Sequence, residues 1–201
     1  MKILSLWAFV AITLLGAGVA SAATKTLIVA GGCFWCVESD FEQLKGVTGA
    51  VSGYIGGSTD NPTYKQVTQG GTGHFEAVEI TYDDTQVTEP VLLDYFWRTI
   101  DPTDPIGQFC DKGSSYKTAL FYQNEQQQQV FSDSLTTIEK TKPFKGKIVT
   151  EILPATTFYP AEGYHQDYYK KSPLRYKYYR HACGRDKRIE KLWGSVISHH
   201  E

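Results

Sequence analysis

The stretch KTLIVAGGCFWCVESDFEQL, Lys25 to Leu44, constrains the fold more than any other part of the sequence. Lys25 to Ala30 favour a strand, Gly31-Gly32 break it, and Phe34, Val37, Phe41 and Leu44 then fall on one face of a helix. The turn between the two elements delivers a Cys-x-x-C pair. On a helix, Cys33 and Cys36 stand at i and i+3, where side chains meet and a disulfide between them is sterically allowed. Cys33 falls in the first turn, where unpaired N–H groups and the helix dipole favour an anion. The sequence therefore predicts an attacking, thiolate-prone Cys33 and a deeper, resolving Cys36.

Further elements follow the same alternation. Gly46 to Tyr54 reads as a strand, and the Gly-, Thr- and Asn-rich segment GGSTDNPTYKQVTQGGTGH reads as a long loop of the kind that carries function. In HFEAVEITY, Glu76, Val78, Ile80 and Tyr82 share one strand face, so Glu76 stands in line with apolar residues. TEPVLLDYFWRTI opens on Thr88 as N-cap with Pro90 in the first turn and carries Leu92, Phe96 and Ile100 at helical spacing. YKTALFY and KIVTEIL are predicted strands flanking a helix over NEQQQQVFSDSLTTIEK, whose Gln run is expected to be a solvated face. Beyond Phe158 the chain turns Tyr- and His-rich. No repeat and no linker divides residues 23–201, which are expected to form one α/β or α+β layered domain.

Residues 1–22 combine an early Lys2, an apolar run from Ile3 and the small-residue ending Ala20-Ser21-Ala22. This is the pattern of a secretory signal peptide cleaved near Ala22, which places the mature chain in the periplasm or outside the cell. A retained anchor is disfavoured by that ending and by the absence of a basic stop signal, and no later stretch is apolar enough to span a membrane. Losing the leader removes one Lys and no acid, shifting the net charge from -2 to -3. So balanced a chain gives no signal for nucleic acid.

The Cys-x-x-C pair alone leaves several chemistries open. Zinc needs two further ligands, and Cys110 and Cys183 stand singly rather than in a second pair, so no metal is expected. A thioredoxin-like oxidoreductase and a structural disulfide both remain compatible with the spacing. A non-catalytic exported binding module is a third possibility.

The longer string GGCFWCVESDFEQLKGVTGAVSGYIGG, continued by NPTYKQVTQGGTGHFEAVEITYD, DPTDPIGQFCDKGSSYKTALFY and FYPAEGYHQDYY, resembles the A-type peptide methionine sulfoxide reductases. The resemblance runs through nearly all of the mature chain. It implies a two-layer α/β sandwich around a mixed sheet with a ferredoxin-like core, and a catalytic cysteine at a helix start. It also implies thiol-dependent reduction of methionine S-sulfoxide, free or in proteins, in the repair of oxidised proteins by a monomer without a bound cofactor.

Matched position by position, the resemblance makes Cys33 the nucleophile and Glu76 the catalytic acid. Phe34 and Trp35 become the aromatic wall for the substrate methyl, Tyr64 and Tyr116 the sulfoxide-oxygen binders, and Asp111 a polar site residue. Taken singly, each of these would read as core packing or surface polarity. As a set they fit the chemistry: a sulfoxide needs a soft nucleophile at sulfur and a proton donor at oxygen, and a carboxyl among apolar neighbours keeps its proton. The expected cycle leaves a sulfenic acid on Cys33, a second thiol then condenses with it, and an external thioredoxin-like dithiol reduces the disulfide.

Many family members have Gly where Cys36 stands and resolve through a cysteine in the C-terminal tail. Both Cys36 and Cys183 are therefore candidate resolving residues, the second with Arg180, Arg185 and Lys187 to help ionise it. Cys110 is expected to be a buried, inert thiol. His165 is expected to help shape the pocket, and His199 and His200 to form a frayed end.

Overall fold

The computed structural model describes residues 24–194, so the expected leader and the His199-His200 end lie outside the described residues. In chain order the elements are β1 (Thr24–Gly31), α1 (Phe34–Glu42), β2 (Val47–Ile55), α2 (Tyr64–Gln69), β3 (Phe75–Asp83) and α3 (Glu89–Arg98). Next come the short strands β4 (Gly107–Gln108) and β5 (Asp111–Lys112), a 3-10 turn (Ser114–Tyr116), β6 (Thr118–Tyr122) and α4 (Glu125–Thr141). The chain closes with β7 (Glu151–Pro154), β8 (Tyr159–Pro160), α5 (Tyr168–Lys171), α6 (Pro173–Ala182) and α7 (Arg185–Trp193).

Six strands form one mixed sheet in the order β7-β6-β1-β3-β2-β8, antiparallel throughout except for the β6–β7 pair. Strand periodicity sorts the side chains. Leu27 and Val29 of β1 and Val78, Ile80 and Tyr82 of β3 join α1, α3, α4 and α7 in the main core, whereas Ile28, Ala30 and Ala77 pack with Phe121, Leu153 and Phe158 on the opposite face. Glu76 shares the parity of Val78, which turns its carboxyl toward the start of α1, as the alternation in HFEAVEITY predicts. Gly32, at φ +79°, makes the turn from β1 into α1, and a Cβ there would meet the Gln108 side chain at 2.5 Å.

Several elements depart from the sequence reading. α1 is buried beyond its apolar face: Glu38, Ser39 and Asp40 are also covered, because α5 to α7 wrap its other side. The buried acids are matched. Glu38 accepts from the Ser52 hydroxyl at 2.6 Å and the Asp167 N–H at 2.7 Å, and Asp40 pairs with Arg180 at 2.7 Å. The supposed loop contains α2, opened by a Thr63–Gln66 capping box. β7 covers only the end of KIVTEIL, since the Val149 N–H is taken by the Pro102 carbonyl and pairing with β6 begins at Glu151. Gln127, within the expected solvated face of α4, is buried and donates to Glu89 at 2.7 Å and to the Thr26 carbonyl at 3.2 Å. Among the described residues no helix is long and apolar enough to cross a membrane.

Candidate active site

Where β1 meets α1, a cavity of about 60 Å³ is lined by Cys33, Phe34, Trp35, Tyr64, Glu76, Asp111, Tyr116 and Tyr179. Five separate segments supply it. The β1–α1 turn brings Cys33, Phe34 and Trp35; β3 brings Glu76; the start of α2 brings Tyr64; and β5 with its following turn brings Asp111 and Tyr116. The nucleophile, acid, wall and oxygen-binding positions singled out in the sequence thus converge. Tyr179, from α6, is the lining residue that the sequence reading missed.

Cys33 is the residue immediately before α1, and its carbonyl accepts the Cys36 N–H at 3.1 Å. The first helical N–H, that of Phe34, points instead to Glu76 Oε2 at 3.1 Å. This donor therefore serves the carboxyl and not the sulfur. The Cys33 thiol is 6% exposed, and burial pushes its pKa well above the ordinary value, reinforced by hydrogen bonding and charge repulsion from Cys36 and by Glu76 when ionised. Cys36, 2% exposed, moves the other way: its hydrogen bond with Cys33 lowers it, with help from the charges of Arg185 and Arg180 against the effect of burial. The expectation of a resting Cys33 thiolate is corrected by this arrangement, in which Cys36 is the more acidic of the two.

Glu76 is 1% exposed, and burial pushes its pKa up to about 8 despite the Phe34 N–H and the nearby Tyr116 hydroxyl. Its second oxygen, Oε1, is buried without a hydrogen-bond partner in good geometry among the described residues. A neutral carboxyl with an uncommitted oxygen at a cavity wall can hold a proton for an incoming acceptor. Burial likewise lifts Tyr64 to about 12 and raises Tyr116, so both phenols stay protonated as donors. The Tyr179 hydroxyl donates to Asp111, whose own pKa is raised by burial.

Aromatic rings form the rest of the wall. Trp35 stacks on Tyr168 with centroids 3.9 Å apart, Phe34 stacks on Tyr64 at 6.2 Å, and the Trp35 indole N–H donates to His165 Nδ1 at 3.0 Å. Burial lowers the His165 pKa, and because Nδ1 accepts, the neutral ring carries its proton on Nε2. His165 therefore holds the Trp35 indole and packs against Phe34 and Tyr64, where it helps shape the pocket. Glu162 is a second residue the sequence reading missed: it accepts from the Tyr64 N–H at 2.9 Å and from the Tyr54 hydroxyl at 2.8 Å, fixing the start of α2.

The remaining cysteines differ from expectation. Cys110 is exposed, not buried, and it is joined in a disulfide to Cys183 across 73 residues. Cys183 is consequently no free thiol beside Cys33, whereas Cys33 and Cys36 are both free. Neither Cys110 nor Cys183 lines the cavity.

Fold and site together define a thiol-based oxidoreductase with a proton donor built into the same cavity as its cysteine. Residues 25–197 match the family described as "Peptide methionine sulfoxide reductase". The peptide methionine sulfoxide reductase MsrA of Halalkalibacterium halodurans is 52% identical, with the match covering 82% of this chain and 94% of that protein. MsrA/MsrB of Vibrio cholerae is 48% identical over 90% of this chain and 48% of its own length, so the chain spans about half of that relative. Among solved structures, the reduced form of Mxr1 from Saccharomyces cerevisiae superposes with a TM-score of 0.71 at 31% identity, covering 75% of this chain and 87% of that one. A structure of Mxr1 in complex with Trx2 matches at 20% identity with a TM-score of 0.51, a likeness of fold alone. The chain belongs to the peptide methionine sulfoxide reductase family.

Proposed function

We propose that this protein reduces methionine S-sulfoxide, free or in oxidised proteins, with Cys33 as nucleophile and Glu76 as proton donor. The single observation that carries the reading is the meeting of a buried thiol with a carboxyl that keeps its proton to about pH 8, in one small cavity walled by aromatic rings. Phe34 and Trp35 receive the methyl, Tyr64 and Tyr116 donate to the sulfoxide oxygen as negative charge develops there, and Asp111 with Tyr179 closes the polar side.

The steps balance. Cys33 Sγ attacks the sulfoxide sulfur, Glu76 protonates the oxygen, and the proton released by the thiol restores the carboxyl. Methionine leaves and Cys33 carries the oxygen as a sulfenic acid, oxidised by two electrons. Cys36 then attacks Cys33 Sγ, expelling water and forming the Cys33–Cys36 disulfide. Its lowered pKa suits it to this second attack. The bonded state of Cys183 favours Cys36 over it as the resolving residue. A thioredoxin-like dithiol returns both sulfurs to thiols, and no bound cofactor or metal enters the balance.

The segment β1-α1-β2-β3-α3-β6, with its strands in the order β6-β1-β3-β2, supports a ferredoxin-like reading of the core. Residues 23–201 are read as one catalytic domain. Export after cleavage near Ala22, to the periplasm or beyond, agrees with a disulfide that persists in an oxidising compartment.

The test is to supply each methionine sulfoxide epimer separately, with dithiothreitol, and to quantify methionine. The S epimer alone should be consumed, and Cys33→Ser should consume neither. Equal use of both epimers, or a Cys33→Ser variant with intact turnover, contradicts the reading.

A further inference from the structure

We propose that the Cys110–Cys183 disulfide is a standing clamp that positions Asp111 and Tyr179 at the substrate cavity, and that neither of its cysteines enters the catalytic cycle. The proposal rests on the site reading given above for Cys33 and Glu76. It begins from three consecutive residues. Phe109, Cys110 and Asp111 form and follow the turn of the β4–β5 hairpin, and each meets the corner between α6 and α7: Phe109 lies under the Arg185 guanidinium at 4.7 Å, Cys110 is bonded to Cys183, and Asp111 accepts from Tyr179. Cys183 and Tyr179 are one helical turn apart, linked by the Cys183 N–H to Tyr179 carbonyl bond at 2.9 Å. The covalent link therefore sits between the two contacts and sets their spacing.

The hairpin needs such a tie. β4 and β5 are two residues each and pair only with one another, a size that is not stable alone in water. Phe109 holds a left-handed backbone at φ +53°, a conformation unusual for an aromatic residue outside a fixed turn. The base of the hairpin is held by Gln108, which exchanges hydrogen bonds with the Asp101 backbone at 2.7 and 2.8 Å. The tip meets the α6–α7 corner through Arg185, Cys183 and Tyr179, with Phe109 also packed against the main core. That corner is itself rigid: Arg185 is buried and donates to the Gly31 carbonyl at 3.2 Å and the Thr99 carbonyl at 2.9 Å. Gly31 is two residues from Cys33. The clamp thus fixes Asp111 relative to the same turn that presents the nucleophile. Without the tie, Asp111 and Tyr179 would lose the placement in which they meet the bound substrate.

Two measurements on the full chain test the clamp. In the first, protein prepared without reductant after limited exposure to one equivalent of S-sulfoxide is alkylated, digested and mapped. Resting protein should show Cys110 linked to Cys183 and alkylated Cys33 and Cys36; after one turnover Cys33 should be linked to Cys36, with Cys110–Cys183 unchanged. Any accumulation of Cys33–Cys183 or Cys36–Cys183 makes Cys183 a redox participant and overturns the proposal, while the reductase reading survives. If no methionine forms at all, it is that reading which fails.

In the second, Cys110→Ala, Cys183→Ala and the double variant are compared in steady state. Each should raise KM for the sulfoxide by about tenfold, with a smaller change in kcat, and the double variant should match either single one because a single bond is being removed three ways. In an Asp111→Ala background, which also removes the Tyr179 contact, the double variant should change KM less than about twofold, since the clamp acts through that pair. An unchanged KM in the double variant, or the full tenfold effect retained without Asp111, overturns the proposal. Should the variants fail to fold, a Cys183 link to Cys33 or Cys36 in the map of the native chain still overturns the proposal.

Discussion

Cys33 and Cys36 lie three residues apart and remain thiols, whereas Cys110 and Cys183 lie 73 residues apart and are bonded. Closeness in the chain does not decide which pair is joined at rest. The first pair is buried with a proton donor at one end and two arginines at the other, surroundings that separate the two thiols in acidity and prepare them for successive attacks. The second pair bridges a small hairpin and a helix corner, with Cys110 exposed and neither sulfur lining the substrate cavity. The same side chain does chemistry in one setting and holds geometry in the other, and the difference lies in its neighbours.

The contrast can be broken most forcefully at the donor. Glu76→Gln keeps the shape of the cavity and removes the transferable proton, so single-turnover methionine release should fall by about 10²- to 10⁴-fold, measured by rapid quench. If the loss is slight, the first pair has no special acid beside it. Next in size is the separation of resolution from attack. Cys36→Ser should still yield one methionine per chain but stall as a sulfenic acid trapped by dimedone, with thioredoxin-dependent turnover near background, whereas Cys183→Ser should keep forming the Cys33–Cys36 bond. A reversal of these two outcomes would exchange the roles of the pairs.

Stability separates them again. Removing the Cys110–Cys183 bond by the double alanine variant should lower unfolding free energy by about 2–4 kcal/mol in urea titrations, while reduction of Cys33–Cys36 should leave the resting fold as described. The acid has a stability signature too. The folded Glu76 pKa, about 8, lies above its unfolded value, so the contribution is complete below the unfolded pKa and is lost as pH rises through about 8. Glu76→Gln should therefore unfold at a higher temperature than the parent at pH 9 while being far less active. The smallest effect is electrostatic: Arg185→Met should raise the Cys36 pKa, read from thiolate absorbance after Cys33→Ser removes the other signal.

Much of the first pair's surroundings is legible in the chain because it is written in local patterns. A strand, a Gly-Gly break and a 3.6-residue period place Cys33 at a helix start, and a two-residue period turns Glu76 toward the core. The direction of the Cys33 shift is not legible, since it depends first on burial of the thiol by distant elements and then on the neighbouring Cys36 and the Glu76 carboxyl. The second pair, Tyr179 and Glu162 escape for a related reason. Their roles arise from contacts across long separations, and the Tyr-rich run YKYY has no marked helical signal beyond Ser172-Pro173 to announce α6. The burial of Glu38 and Asp40 on α1 follows from the same unseen helices. Pattern fixes which face an element turns inward, but not which distant charge will meet it there.

The most direct test of the account is the titration of Glu76 itself, followed by carboxyl carbon NMR in protein labelled at glutamate, with Glu76→Gln to assign the signal and the single-turnover rate measured over the same pH range. The account predicts an apparent pKa near 8, with methionine release falling on the alkaline side in step with loss of that proton. A Glu76 carboxyl already ionised at neutral pH, in an enzyme that still turns over, would contradict it.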